Sequence, residues 1–222
     1  MAVFQCVLVG DESLLVECAR RLMARGHAIA AIVTASVPVR QWAEGSGIKV
    51  LEWGDDLSET LASQDFDYLF SIANLRMIPQ SVWQRARRGA INFHDGPLPR
   101  YAGLNTPSWA LLAGEESHGI TWHSITDGID EGGIYARADF DIAPDDSALT
   151  LNTKCFEAGL AAFADMLPGL EDGSLRPVPQ DFTDRQLFMR QKRPQRLGAI
   201  AFEDGLPFLS VLVVLVIVTI LV

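Results

Sequence analysis

Apolar residues along the chain fall into short unbroken runs, separated by stretches whose apolar positions recur at helical spacing. Val3 to Val9 is rich in β-branched residues and stops at Gly10-Asp11. Leu14, Leu15, Cys18, Ala19, Leu22 and Met23 then repeat every three or four residues up to Gly26, which predicts strand, turn, helix and stop. Ala28 to Thr34, Gly47 to Leu51, Phe66 to Ala73 and Gly89 to Phe93 are further apolar runs, read as four more strands with helical or irregular segments between them. A strand that is apolar throughout needs cover on both faces. The pattern therefore predicts an α/β fold, a mostly parallel twisted sheet with helices on both faces.

The rhythm changes after Phe93. His94 to Thr106 contains Pro97, Pro99 and Gly103 and reads as a long loop. A helix is expected from Pro107 to Ala113, followed by strands at Gly119 to Thr126 and Ile134 to Ile142 around a turn spanning 127–133. In the second strand Ile134, Ala136, Ala138, Phe140 and Ile142 alternate with Tyr135, Arg137, Asp139 and Asp141, the period-two mark of a half-buried strand. From Leu149 a helix is expected to about Leu167, with Phe156, Leu160, Phe163 and Leu167 on one face and Pro168-Gly169 ending it.

Composition narrows the function classes. The 222 residues are 49% hydrophobic and 21% charged, with 18 Lys and Arg against 28 Asp and Glu, a net charge of -10. This is a globular composition with room for one substantial domain, and its acidity disfavours a nucleic-acid partner. Cys6, Cys18 and Cys155 lie far apart in apolar surroundings, without metal-binding or redox spacing; buried thiols, no metal and a reducing compartment are expected. The N-terminal stretch lacks the pattern of a signal peptide, so a cytoplasmic location is expected.

Ligands of open α/β sheets bind beyond the carboxyl ends of the strands. Asn92 and His94 stand there, two residues apart and hence on one face of an extended segment. Structural capping of the following loop is the alternative reading of this pair. Asp130 sits in a glycine-rich turn, as a reactive carboxylate or as the head of an Asx-turn. An amide, an imidazole and a carboxylate without a Ser or Cys nucleophile suit direct attack by a substrate's own nucleophile: amide and imidazole stabilise an oxyanion and the carboxylate handles the proton.

The segment INFHDGPLPRYAGLNTPSWALLAGEESHGITWHSITDGIDEGGI, residues 91–134, resembles the core of the folate-dependent formyltransferases, with their N-x-H, LP-x-Y-x-G, G-x-T-x-H and D-x-G-x-I pattern. The resemblance covers about residues 3–185. It implies a Rossmann-like formyltransferase fold, 10-formyltetrahydrofolate as co-substrate, and transfer of the formyl group to a primary amine. It places the catalytic residues at Asn92, His94 and Asp130, with Asp130 orienting His94. It also implies a folate pocket lined by Leu75, Arg76, Met77 and Ile78 together with Ile125, Thr126, Asp127 and Gly128. His123 is expected one layer behind the reacting groups or as an ordinary strand histidine. His27 and His118 are expected at the surface, Trp109 and Trp122 in packing.

The acceptor amine is narrowed by departures from relatives. The first loop, VGDESLL, carries two acidic residues where a phosphate-binding branch would have Gly and Ser. The stretch after His94 differs from the initiator-tRNA branch. The similarity is greatest to formyltransferase domains of nonribosomal peptide synthetases, which implies an aminoacyl group on a carrier protein as acceptor. A stand-alone enzyme acting on an amino sugar or a siderophore amine is the alternative, and a non-catalytic folate-binding module the reading from another class. The expected organisation is a catalytic domain over 1–186, a basic linker over 187–205 and an apolar tail over 206–222. The tail is uncharged, read as a truncated or disrupted frame, a membrane anchor, or a buried or disordered extension.

Overall fold

The computed structural model describes residues 2–54, 57–61 and 64–189. The first half alternates strands and helices: β1 (Gln5–Val9), α1 (Ser13–Ala24), β2 (Ala28–Val33), α2 (Val37–Gly45), β3 (Val50–Leu51), α3 (Leu57–Thr60), β4 (Tyr68–Ser71), α4 (Gln80–Trp83) and β5 (Gly89–His94). There follow β6 (Tyr101–Gly103), α5 (Thr106–Ala113), β7 (Ser117–Ser124), β8 (Ile134–Asp141) and α6 (Ala148–Asp172); a 3₁₀ turn at Phe182–Asp184 leads to β9 (Gln186–Phe188). The main sheet has the order β3-β2-β1-β4-β5-β7-β8. Strands β1 to β5 pair in parallel, whereas β7 runs antiparallel to both β5 and β8. The fold is the expected Rossmann-like α/β architecture. The order turns back between β1 and β4, and this topological switch opens a crevice at the carboxyl ends of the central strands.

Unbroken apolar strands are explained by two cores, one on each face. Along β1, Cys6 and Leu8 enter the larger core with α1 and α6, while Val7 and Val9 enter a second core with Leu57, Leu61, Phe66, Ile78 and Val82. Each strand thus alternates between two apolar environments rather than between core and water. On the larger face Phe163 stacks edge-on against Phe70 and meets Trp122; a fully buried Phe of this kind is worth about 3–5 kcal/mol against Ala. Gly159 is the close-approach position of α6: a Cβ there would come within 2.4 Å of the Phe93 ring. Its carbonyl accepts the Trp122 indole N–H at 3.0 Å.

Several boundaries move for physical reasons. The strand expected over Gly47 to Leu51 shrinks to Val50–Leu51. The helix expected to stop at Pro168-Gly169 continues to Asp172 and ends at Gly173 in the left-handed conformation. Proline removes one helical N–H, but Met166, Leu167, Leu170 and Glu171 are all buried around it. The Tyr68 hydroxyl and the Arg88 guanidinium also donate to the Leu170 carbonyl. The expected long loop after His94 contains β6, which pairs in parallel with β9. Strand β9 carries the chain past residue 186, where a linker was expected to begin. The linker beyond 189 and the apolar tail lie outside the described residues.

His27 and His118, expected at the surface, are both buried, 5% and 1% exposed. The His27 ring stacks on Phe4 at 3.7 Å and its Nε2 lies 3.0 Å from Glu171. The His118 ring bonds the Asp95 carbonyl at 2.8 Å. The two His27 nitrogens are both partnered, Nδ1 accepting the Phe4 N–H at 3.3 Å, whereas His118 is bonded through Nε2 alone and its Nδ1 is buried with no hydrogen-bond partner among the described residues. Trp122 is fully buried and Trp109 packs on Phe188. All three cysteines are buried free thiols, with burial pushing each upward in pKa. Among the described residues no helix is long and apolar enough to cross a membrane.

Candidate active site

Three strand ends meet at Asn92. Register sets Ser71 of β4 beside it on one side and His123 of β7 on the other. Asn92 and His94 leave β5 on one face while Ile91 and Phe93 enter the larger core, so the expected side-chain pairing follows from the strand itself. The chain after His94 is tied down at once. The Thr121 hydroxyl donates to the Gly96 carbonyl at 2.8 Å and accepts from the Leu98 N–H at 3.1 Å. The Asp95 carbonyl accepts from Thr106 Oγ1 at 2.6 Å and from His118. Buried His118 thus braces the loop that carries the site.

His94 donates Nε2–H to the Tyr101 carbonyl at 2.5 Å. That hydrogen bond turns Nδ1 towards two carboxylates, 3.7 Å from Asp130 Oδ2 and 3.9 Å from Asp95 Oδ1. Both distances exceed hydrogen-bond reach. Asp130 was expected to orient His94; the ring is instead held by the Tyr101 backbone, because β6 brings that carbonyl into line with the ring edge. His123 donates Nδ1–H to the Ser124 carbonyl at 2.9 Å. Its Nε2 then accepts from the Asn92 amide at 3.2 Å, which fixes Asn92 as a donor and leaves its second N–H free to give.

Asp130 occupies the left-handed region at φ 54°, and its side chain is 14% exposed. Oδ2 accepts the Gly103 N–H at 2.8 Å and Oδ1 lies 3.4 Å from His123 Nε2. Burial acts to raise its pKa. The charges that His94 and His123 carry once protonated, with the Gly103 N–H, outweigh burial and hold the carboxyl well below the usual carboxylate range. The site therefore combines an oriented amide donor, an imidazole edge facing two carboxylates and a carboxylate kept ionised. It suits stabilisation of a developing oxyanion and acceptance of a proton at one point.

The two segments expected to hold a flat cofactor flank this point. The loop after β4 starts beside Asn92, and Asn74 ties it back to Ser71 at 3.4 Å and to the Arg76 carbonyl at 2.8 Å. Leu75 and Met77 are 69% exposed, apolar surface left at the crevice rim. Ile78 is buried in the second core, where Ile125 packs on the same cluster, so the two segments are joined beneath the surface. Thr126 and Asp127 are exposed and Gly128 is half-buried. Arg76 turns the other way, pairing with Asp11 at 2.6 Å and lying over Trp53. The backbone groups of Tyr101 and Gly103 were missed in the sequence, since no side-chain pattern announces a carbonyl or an N–H; Asp95, next to His94, was legible but not singled out.

The Rossmann-like sheet brings an amide, an imidazole and a carboxylate together at the carboxyl ends of its central strands. Residues 28–167 match the Formyl transferase family, and the chain belongs to it. The methionyl-tRNA formyltransferase of Desulfotalea psychrophila is 32% identical over 178 residues, covering 73% of this chain and 55% of that protein. The chain thus spans little more than half the length of that relative. The N-formyltransferase from Helicobacter canadensis, solved with folinic acid and dTDP-3-aminofucose, superposes with a TM-score of 0.71 at 20% identity, covering 85% of this chain and 71% of that one. HypX from Aquifex aeolicus, solved with tetrahydrofolic acid, gives 0.69 at 20% identity, covering 86% and 30%. At such identities the two structures speak for the fold alone.

Proposed function

We propose that the chain transfers a formyl group from 10-formyltetrahydrofolate to a primary amine, with Asn92, His94 and Asp130 as its catalytic residues. The observation that carries this is the convergence of the Asn92 amide, His94 Nδ1 and the ionised Asp130 carboxylate at one strand end. The exposed apolar rim of Leu75 and Met77, with the joined segments at Ile78 and Ile125, supports a site for the flat pterin beside it. The folate ligands of the Helicobacter canadensis and Aquifex aeolicus proteins support the same reading.

In this mechanism the neutral amine adds to the formyl carbon. The free Asn92 N–H donates to the formyl oxygen as it gains charge. His94 can add a second donor there through Nδ1 only as the imidazolium, because its Nε2–H is committed to Tyr101. Asp130, ionised at neutral pH, receives the amine's excess proton directly or through water; as the tetrahedral adduct collapses, the bond between the formyl carbon and the folate nitrogen breaks and that nitrogen takes up the proton, leaving as tetrahydrofolate. His123 keeps the Asn92 amide turned the right way.

For the acceptor we favour an aminoacyl amine on a carrier protein of a nonribosomal peptide synthetase, on the likeness of residues 101–123 to those domains. The sugar ligand of the Helicobacter canadensis protein supports the second reading, a sugar amine. The catalytic domain, followed by a basic linker and an apolar tail, would work in the cytoplasm. The test is a formyl-transfer assay with 10-formyltetrahydrofolate and a panel of aminoacyl-carrier, amino-sugar and siderophore amines. Calorimetry with a stable folate analogue should give 1:1 binding that Leu75→Asp abolishes. A folded chain that binds no folate analogue overturns the proposal.

A further inference from the structure

The left-handed turn at Asp130 is held from a part of the chain that follows α6, beyond the residues matched to the family. Val178 and Ile134 exchange both backbone hydrogen bonds, at 2.7 and 2.8 Å, as an antiparallel bridge. Two steps further along each side, this register sets Gln180 opposite Gly132. Its Nε2 donates to the Gly132 carbonyl at 2.6 Å and to the Asp130 carbonyl at 2.9 Å. The same amide's Oε1 is buried with no partner among the described residues, so Gln180 is bound through its donor side alone. Arg185 adds a bond from Nη2 to the Ile129 carbonyl at 2.7 Å and an ion pair with Glu131 at 3.1 Å.

A non-glycine residue at positive φ is costly and persists only where its surroundings over-determine it. Asp130 is such a residue, and Gly132, two positions on, admits no side chain, since a Cβ would come within 1.8 Å of the Ser124 carbonyl. Of the hydrogen bonds that hold 129–132 in this shape, those to the backbone carbonyls of 129, 130 and 132 come from Gln180 and Arg185. The segment has a second grip: β9 pairs with β6, whose Tyr101 carbonyl and Gly103 N–H hold His94 and Asp130.

We infer that Gln180 is a positioning residue: by tying the Asp130 and Gly132 carbonyls together it sets the turn that aims the Asp130 carboxylate at Gly103, His123 and His94. This builds on the proposed role of Asp130, but its test needs neither folate nor acceptor. Gln180→Met keeps the length and volume of the side chain and removes both donors. The turn then relaxes, and the carboxylate draws away from the groups that keep it ionised. His94 from β5, His123 from β7 and the neighbouring carboxylates Asp95 and Glu131 are unchanged by the substitution.

The measurement is a carbon-13 NMR titration of the carboxyl groups of labelled aspartate in the full chain, with Asp130→Asn assigning the signal. In the wild type the Asp130 signal should stay in its ionised position from pH 7 down to about 3, below the ordinary aspartate value of about 3.9. In Gln180→Met it should titrate within that window, a rise of about one unit or more. On an acceptor found by the amine panel, turnover should fall by about 10-fold while KM for folate changes less. Gln180→Asn, which keeps the amide on a shorter stem, should shift the signal less. An Asp130 signal that titrates as in the wild type in folded Gln180→Met overturns the inference, even if the variant melts earlier. Should Gln180→Met fail to fold, an unshifted signal in Gln180→Asn overturns it equally.

Discussion

Two corners of the molecule each set imidazole against carboxylate, and they use the pair in opposite ways. At the α1–α6 corner the Glu171 carboxylate is gripped by the Arg25 fork at 2.5 and 2.8 Å and by His27 at 3.0 Å. At the β5–β7 edge the Asp130 carboxylate has one short bond, from Gly103, and its two imidazoles stand at 3.4 and 3.7 Å. The first carboxylate is saturated and joins residues 144 and 146 positions apart in the chain. The second keeps acceptor capacity in reserve beside a crevice. A buried charge that is fully partnered holds elements together. One that is ionised but under-bonded remains free to take a proton.

The largest expected difference is in rate. Asn92→Ala and Asp130→Asn should each lower turnover on a proven acceptor by at least about 10²-fold, as loss of an oxyanion donor or proton acceptor does. Affinity for a folate analogue and melting temperature should change little, because these interactions strengthen in the transition state. Near wild-type turnover in both variants would erase the contrast between the corners.

Glu171→Ala should do the reverse. Removing one partner leaves His27 and the Arg25 fork without their carboxylate, and breaking such a buried pair costs roughly 3 kcal/mol. In a domain of this size that lowers the melting temperature by roughly 6–12 °C, with turnover per folded molecule unchanged. A calorimetric scan beside an activity assay separates the two effects; lost turnover at full stability would move Glu171 into the site.

Acid should sharpen the contrast further. Arg25 foremost, then His27, holds the Glu171 carboxyl below its usual range against the effect of burial. Burial above all holds His27 below its own, despite Glu171. Both folded values are lowered, so the unfolded chain binds more protons at acid pH. Their contribution is complete above the unfolded values, about 6.5 for His and 4.3 for Glu, and declines as the pH falls through them. Urea midpoints measured from pH 7 to 4 should fall in the wild type and fall less in His27→Gln, which removes the imidazole whose folded value lies below its unfolded one. Equal slopes would show that this corner does not set the acid limb.

The smallest effect is expected at Arg76, whose pairing with Asp11 is about two-fifths exposed. Arg76→Ala should alter stability by less than about 1 kcal/mol, read from urea midpoints. Folate-analogue affinity should change only a few-fold, since the Arg76 guanidinium is engaged by the Asp11 carboxylate and the Trp53 ring. A loss beyond 10-fold would make Arg76 part of the ligand site.

Unbroken apolar runs between helical stretches were enough to predict the parallel sheet and its two covered faces, because successive side chains of a strand point to opposite faces and both must then be apolar. Asn92 and His94 were legible for the same reason, standing two apart at a strand end. His27 and His118 were misplaced because their burial depends on Glu171, 144 residues away, and on the Asp95 carbonyl; no local pattern records a distant partner. The end of α6 was misplaced because Pro168 is a local signal to stop, and packing of Leu170 and Glu171 overrides it. What holds His94 and Asp130 was decided by tertiary structure alone. The groups that fix them are a carbonyl of Tyr101, an N–H of Gly103 and the amide of Gln180. Every residue but proline carries the two backbone groups, so only the pairing of β6 with β9 and the bridge at Val178 could select these among all the others.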